Sequence, residues 1–230
     1  MTVGDSPVTD VAEAMLPEDK TLTVWQLVSS GGTGGAIIMV TLLMLSILAV
    51  YIIIERFLVI KKASKEDSNF MDQIKDYILD GKIDAAKSLC NSNASPIAKM
   101  IEKGVSRIGK PLSDISIAVE NTGKIELNKL EKNLSTLATI SGAAPMIGFL
   151  GTVIGMILVF HKMAAGGGGV DLQTLSDGIF TAMVTTVAGL IVGIIAYVGY
   201  NTLVARVEKI VFVMEARTVE FLDILHEPAV

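Results

Sequence analysis

The sequences AAPMIGFLGTVIGMILVF at residues 143–160 and GIFTAMVTTVAGLIVGIIAY at residues 178–197 decide the fold of this chain. Neither contains a charged residue, and the uncharged stretch around the first extends back to Leu134. About 20 apolar residues in a helix cross the hydrocarbon core of a bilayer. Both stretches also carry glycines and threonines, which allow helices to approach closely and to bond across the contact. They therefore predict two membrane-spanning helices that pack against each other.

A third uncharged stretch, AIIMVTLLMLSILAVYIII at residues 36–54, predicts the first transmembrane helix. It ends in Glu55 and Arg56, the membrane-exit charges, and we expect the helix to continue out of the bilayer towards Lys61. Two alternatives stand for Glu55: an ion pair with Arg56 of a neighbouring subunit, or a solvated carboxylate. Because 51% of the 230 residues are hydrophobic, an ordinary soluble domain is excluded. The predicted fold class is an all-α polytopic membrane protein with three transmembrane helices.

The segments outside the spans have the periodicity of amphipathic helices. Gly81 predicts a helix end, and Ser95 before Pro96 predicts a helix start. We expect the helical run from Ser113 to enter the second span without a break, as one of the long helices that project into the cytoplasm. The predicted segments are a periplasmic or interfacial segment at 1–30, spans at 31–60, 134–161 and 178–205, a cytoplasmic helical region at 61–133, a periplasmic loop at 162–177 and a cytoplasmic C-terminal helix at 206–230.

Positive charges predict the orientation of the chain in the membrane. Residues 61–132 hold 13 of the 19 lysines and arginines, four more lie at the same ends of the spans, and only Lys20 and Lys162 fall on the other side. Because cytoplasmic loops carry an excess of lysine and arginine, the N-terminus is expected outside and the C-terminus inside. Trp25, the single tryptophan, suits the headgroup level of the lipids or the packed position of a solvated arm.

Hydroxyl groups take the place of charges inside the late spans. Thr152 lies midway along the second span, and Thr181, Thr185 and Thr186 lie in the first half of the third, with Asp177 at its mouth. One intramembrane threonine can bond back to its own helix, whereas several at one depth would form a polar lining that holds water. A proton path needs a titratable group in the membrane, and neither late span has one. A second polypeptide would have to supply the carboxylate.

Small residues form a stripe on each late span, which predicts close helix packing. The histidines, the cysteine and the glycine run each lack the sequence context of a functional site. The histidines lack the spacing of metal ligands or of a catalytic triad, and Cys90 has no partner cysteine and suits a buried structural thiol. The glycines at 166–169 are not followed by GKS or GKT. We predict no catalytic residue, metal, cofactor or nucleic-acid partner. The predicted helix-packing glycines are Gly148, Gly151, Gly155, Gly189 and Gly193.

The two late motifs resemble those of a known family. AAPMIGFLGTVIGMILVF resembles the second transmembrane motif of the MotA/TolQ/ExbB proton-channel family, and AMVTTVAGLIVGIIAYVGYN at residues 182–201 resembles the third. The arrangement of three predicted spans resembles that of the ExbB/TolQ branch of this family. The resemblance implies a ring of subunits, expected to be a homopentamer in the bacterial inner membrane. The ring would surround the single transmembrane helices of an ExbD-like partner, which carry the titrating aspartate.

The resemblance further implies a molecular motor in which proton flow, coupled through a TonB-like protein, energises transport at the outer membrane. The alternatives are a TolQ-like subunit of the Tol-Pal envelope system and a non-conducting membrane scaffold. An enzyme is not expected.

The family's functional positions carry over to particular residues. Thr152 and Thr186 match the pore threonines that face the partner's aspartate, and Pro145 matches the proline that opens the second motif. The sequence departs from the family at Thr181, where many relatives have a glutamate. The alternatives are that Asp177, one turn earlier, replaces this carboxylate, that the carboxylate is dispensable, or that the threonine was introduced by design.

Overall fold

Seven α-helices make up the computed structural model, which describes residues 32–64, 69–165 and 172–226. No strand occurs within those ranges, so the predicted all-α fold class is confirmed. The predicted N-terminal segment, with Trp25, and the glycines at 166–169 lie outside the described residues. The helices are α1 (Gly32–Ala63), α2 (Phe70–Leu79), α3 (Ile83–Ser92), α4 (Pro96–Val105), α5 (Leu112–Leu130), α6 (Leu134–Ala165) and α7 (Leu172–His226).

Three of these helices, α1, α6 and α7, are long and apolar enough to cross a membrane by length and composition. Large apolar side chains cover their outer surfaces, as at Ile47, Phe149 and Ile194, each more than 60% exposed. Such surfaces are suited to lipid or to a neighbouring subunit. With 55 residues, α7 is about 82 Å long, well over the thickness of a bilayer, so it must project beyond the membrane.

The helices that flank the predicted loop at 162–177 are longer than the sequence pattern indicates. The second of the three long helices, α6, continues to Ala165, and α7 already begins at Leu172. Asp177 therefore lies on a helix, with its side chain exposed. The apolar spacing of Leu172, Leu175 and Ile179 extends α7 backwards through the polar residues before Gly178.

A break between α5 and α6 shows that the predicted unbroken helix is wrong. The first helix ends at Leu130 and the second begins at Leu134, and between them Asn133 has a φ of 64°. Asparagine is one of the few L-residues that adopt this left-handed conformation at low cost, because its short amide bonds locally. One consequence is that carbonyl groups at the end of α5 need partners other than the next turn.

Arg56 supplies one of these partners from α1. Its Nη1 donates to the backbone oxygen of Lys129 at 3.0 Å, and its Nη2 donates to the carboxylate of Glu55 in the same chain. The side chain of Arg56 is buried. The structure thus pairs Glu55 with Arg56 of its own chain, an arrangement that neither sequence-based alternative for Glu55 included. The guanidinium turns inwards because the open end of α5 offers an acceptor that only a tertiary contact could reveal.

We call α2–α5 together with residues 207–226 of α7 the head. Its core contains Ile74, Ile101, Val119 and Phe221, all close to fully buried. The predicted start of α4 is confirmed, because Ser95 Oγ accepts a hydrogen bond from the backbone N–H of Ala98 at 3.1 Å. The predicted helix end at Gly81 is confirmed as well: this glycine follows α2 with a φ of 72°.

Two ionisable groups are buried in the head. Glu126 on α5 accepts hydrogen bonds from Lys99 Nζ on α4 at 3.0 Å and from Lys129 Nζ at 2.6 Å. Burial raises the pKa of Glu126, but the bonds from the two ammonium groups lower it by more, so the carboxylate stays charged. Burial also raises the pKa of the Cys90 thiol to about 12, which fits the predicted structural cysteine.

Gly104 provides a test of how the head packs. A Cβ atom at this position would overlap the ring of Phe221 and lie 2.9 Å from Val119 Cγ2. We expect Gly104→Ala to lower the free energy of unfolding by about 1–3 kcal/mol, because the buried ring has little room to move. Chemical denaturation of the detergent-solubilised chain would measure it. Phe221→Leu should recover part of the loss, and additive effects of the two substitutions would contradict the contact.

Candidate functional site

The backbones of α6 and α7 come into direct contact at two facing glycines. A Cβ on Gly148 would lie 2.8 Å from the backbone oxygen of Thr185 and 3.0 Å from the Cα of Gly189. A Cβ on Gly189 would lie 2.6 Å from the backbone oxygen of Ala144. Real side chains do not approach backbone this closely. The contact between the two helices thus requires glycine at both positions.

Further small residues extend this contact in both directions. A Cβ on Gly151 would lie 2.5 Å from Thr185 Oγ1, and the Cα of Gly155 lies beside Ala182, since a Cβ there would be 3.0 Å from that methyl group. At the other end, a Cβ on Gly193 would lie 2.5 Å from Cγ of Pro145. Pro145 lies inside α6 without ending it. Its ring occupies the space that the glycine leaves open.

Two hydroxyl groups meet where this contact reaches the surface. Thr152 Oγ1 on α6 and Thr186 Oγ1 on α7 are in hydrogen-bond contact with each other. Thr152 Oγ1 is also positioned to donate to the backbone oxygen of Ala182 at 3.0 Å, and Thr186 Oγ1 to that of Gly148 at 3.2 Å. Each hydroxyl therefore bonds to the opposite helix, and both side chains are partly exposed. We call these two threonines and two carbonyls the hydroxyl seam.

A hydroxyl has one proton and two lone pairs, which determines what the hydroxyl seam can do. The two hydroxyls have two protons for three contacts. When both protons go to the carbonyls of Gly148 and Ala182, none is left between Thr152 and Thr186, and the lone pairs of both oxygens can accept from another donor. When a hydroxyl rotates, it can instead donate to an anion. The hydroxyl seam can therefore bond to a carboxyl group in either protonation state without carrying a charge of its own.

The other predicted polar residues of α7 occupy different positions. Thr185 is buried between the helices, where its hydroxyl donates to the backbone oxygen of Ala182 at 2.8 Å. Thr181 is partly buried beside α1, since a Cβ on Gly35 would lie 3.7 Å from its methyl group. Asp177 is exposed one turn earlier. The structure thus gathers Thr152, Thr185 and Thr186, and a role of any of the five in a pore stays a prediction.

The carbonyl oxygens of Gly148 and Ala182 are the parts of the site that residue types did not indicate. Every residue carries a carbonyl, so only its exposure to a neighbouring helix distinguishes it. A usable signal was present, because glycine and alanine leave the helix backbone uncovered beside a threonine on the other span. In the described part of the chain, no group of three or more histidine, cysteine, aspartate or glutamate residues could hold a metal ion.

Comparisons with known proteins give the site its context. The model of the MotA/TolQ/ExbB proton channel family matches residues 92–216, which include α4–α6, most of α7 and the hydroxyl seam. A putative biopolymer transport protein ExbB homolog of Methanothermobacter thermautotrophicus is 32% identical over 114 residues. That match covers 50% of this chain and only 40% of the relative.

Two further relatives are matched over more of their length. Biopolymer transport protein ExbB of Aquifex aeolicus is 38% identical over 104 residues, 44% of this chain and 70% of that protein. Tol-Pal system protein TolQ of Pseudomonas aeruginosa is 26% identical over 220 residues, 89% of this chain and 93% of that protein. Together with the family match over more than half of its residues, these similarities show that the chain belongs to the MotA/TolQ/ExbB proton channel family, in its ExbB-like branch.

Proposed function

We propose that this chain is the ring-forming subunit of a proton-driven motor, and that its hydroxyl seam faces a titrating aspartate on a single-span, ExbD-like partner. The observation that carries the proposal is the contact between Thr152 and Thr186 in spans that contain no charged residue. A carboxyl group that faces a wholly apolar wall would be too costly to ionise. A wall with hydroxyls lowers that cost and still allows the acid to leave.

The energetics of the cycle fit a neutral wall. One proton that crosses about 100 mV releases roughly 2.3 kcal/mol, so the free energies of successive positions of the acid must differ by no more than this. Hydrogen bonds to a charged group contribute about 1.5–3 kcal/mol. A lysine or arginine in the wall would hold the aspartate much more tightly and stop the cycle. Threonines that switch between accepting and donating keep the two protonation states closer in energy.

Several finer assignments belong to this proposal. The N-terminus would lie in the periplasm and the C-terminus in the cytoplasm of a bacterium, with the head inside, as the excess of lysine and arginine around residues 61–132 favours. The ring, proposed as a pentamer, would bring copies of α6 and α7 around the partner. A TonB-like protein would carry the motion to the outer membrane. Thr181 and Asp177 would lie nearer the periplasmic mouth than the hydroxyl seam.

A TolQ-like role in the Tol-Pal envelope system is the second candidate. The observation that favours it is the match to the Pseudomonas aeruginosa TolQ protein over 89% of this chain, the longest of the similarities described above. Both roles use the same proton step, and they differ in the protein that receives the motion. The third alternative, a scaffold without conduction, predicts no flux at all.

The decisive experiment is proton uptake into liposomes that contain this chain with its single-span partner. We expect uptake driven by a potential of about 100 mV only when both chains are present, and its loss when the partner's transmembrane aspartate is replaced by asparagine. This chain alone, in the same liposomes, is the control. Equal uptake with and without the partner would contradict the proposal, and no uptake in any sample would favour the scaffold.

A further inference from the structure

The head carries an open apolar groove between α5 and α7, away from the hydroxyl seam. Two adjoining cavities of about 390 and 330 Å³ form it, and they share Leu127, Val211 and Glu215. Phe212, near the middle of the groove, is 72% exposed, and Val219, at one end, is 59% exposed. The apolar floor consists of Met100, Gly123, Leu127, Val211, Met214 and Val219.

Gly123 and two methionines give the floor its depth. A Cβ on Gly123 would lie 3.0 Å from Cε of Met100 and 3.8 Å from Cε of Met214, so the missing side chain lets the two methionines pack close to the backbone of α5. Methionine side chains are flexible and adapt to different apolar partners. The floor can therefore accept aliphatic or aromatic side chains without a rigid fit.

Carboxylates dominate the rim of the groove. Glu120 lies on α5 and Glu131 directly after its end, Glu208 and Glu215 lie on α7, and Lys124 is the basic residue among the lining side chains. All four carboxylates are exposed. Within the described residues, Glu131, Glu208 and Glu215 take part in no ion pair. A ring of unpaired negative charge around an apolar floor is complementary to a basic, amphipathic partner.

The length of the groove distinguishes a polypeptide from a small ligand. Its lining on α7 runs from Val207 to Val219, which corresponds to about 18 Å or three helical turns. Glu208 and Glu215 are two turns apart on the same side of the helix. A bound helix of three to four turns would place apolar residues on the floor and basic residues opposite both rims.

We propose that the groove between α5 and α7 binds a basic amphipathic helix of another polypeptide. The exposed carboxylates disfavour anionic lipid headgroups at this surface. A second copy of this chain is a poorer occupant, because α1 ends at Ala63 shortly after Lys61 and Lys62 and is too short beyond its span to fill the groove. The inference does not depend on proton conduction, since the groove and the hydroxyl seam share no residue.

Photo-crosslinking to the full chain in detergent tests the inference. The probe is an 18-residue peptide with leucines at the spacing i, i+4, i+7 and i+11, lysines elsewhere and a photoreactive residue at one central apolar position. We expect mass spectrometry to map its cross-links to residues 120–131 and 207–219. The double substitution Glu208→Lys with Glu215→Lys should reduce the yield of these cross-links at least tenfold, because it reverses the charge of two exposed residues on the rim. A peptide with glutamates in place of lysines should not cross-link there.

The matched control is Asp76→Lys with Asp223→Lys, two exposed carboxylates of the head that do not line the groove. This double variant should cross-link like the unaltered chain. Cross-links outside the groove, or equal cross-linking by both peptides, would overturn the inference. So would a disulfide between two copies of a Phe212→Cys variant in a Cys90→Ser background, because a second copy would then occupy the groove.

Discussion

Gly189→Val should prevent α6 and α7 from packing as they do in the native chain. The first added carbon would lie 2.6 Å from the backbone oxygen of Ala144 and 2.8 Å from the Cα of Gly148, so no side-chain rearrangement can make room. The helices must separate, and the contact between Thr152 and Thr186 must open with them. We expect a loss of more than about 3 kcal/mol in the free energy of unfolding, beyond the usual range for overpacking. Proton uptake should fall to background.

The chain offers a matched control for this substitution in the same part of the membrane. Gly142 also lies in α6, and a Cβ there would meet no atom within 4 Å. Gly142→Ala should leave thermal stability in detergent and proton uptake close to those of the unaltered chain. Gly189→Ala should have a stability between those of Gly189→Val and Gly142→Ala. Adding Gly148→Ala to Gly189→Ala should cause little further loss, because both substitutions remove the same contact. Wild-type stability of Gly189→Val would show that the glycine contact is not needed.

The spans and several local signals were predictable from sequence because each depends on neighbouring residues. Uncharged stretches indicated α1, α6 and α7, and Ser95 and Gly81 marked a helix start and a helix end. The glycine spacing indicated which faces of the late spans could come close. In these cases one or two turns of helix contain all the physical information that the prediction requires.

The features that were missed depend on residues far apart in the chain. Asn133 ends a helical run that is otherwise continuous in its apolar spacing, and Arg56 turns inwards to a carbonyl 73 positions later. The contact of Arg56 has no local signal, whereas the residue type at position 133 gave one, because asparagine can adopt the left-handed conformation that ends a helix. Thr185 lies on the same stripe as Gly189 and Gly193, four and eight residues on, and that spacing was a local signal for its buried position between the helices.

Thr152→Val and Thr186→Val should each lower proton uptake by roughly tenfold or more in liposomes that contain the partner. Valine keeps the shape of threonine and removes the hydroxyl, so the partner's carboxyl group loses one hydrogen bond. Bonds to charged groups are worth about 1.5–3 kcal/mol, and each 1.4 kcal/mol corresponds to about a factor of ten. Thr152→Ser and Thr186→Ser should retain uptake. Because the two hydroxyls contact each other, the double valine variant should reduce proton uptake by a smaller factor than the product of the two single reductions.

Two other threonines on the same helices separate a role of the hydroxyl seam from a general effect of polarity. Thr139 on α6 and Thr202 on α7 are exposed, and their hydroxyls donate to Ser135 and Val198 within their own helices, at 2.9 and 2.7 Å. Thr139→Val and Thr202→Val should leave proton uptake unchanged, because neither hydroxyl crosses to the other helix. Equal losses in all four valine variants would indicate that the bundle needs hydroxyls only for its stability. Unchanged uptake in both Thr152→Val and Thr186→Val would remove the hydroxyl seam from the proton path and leave it as a packing contact, since its bonds to Ala182 and Gly148 would then be its whole function.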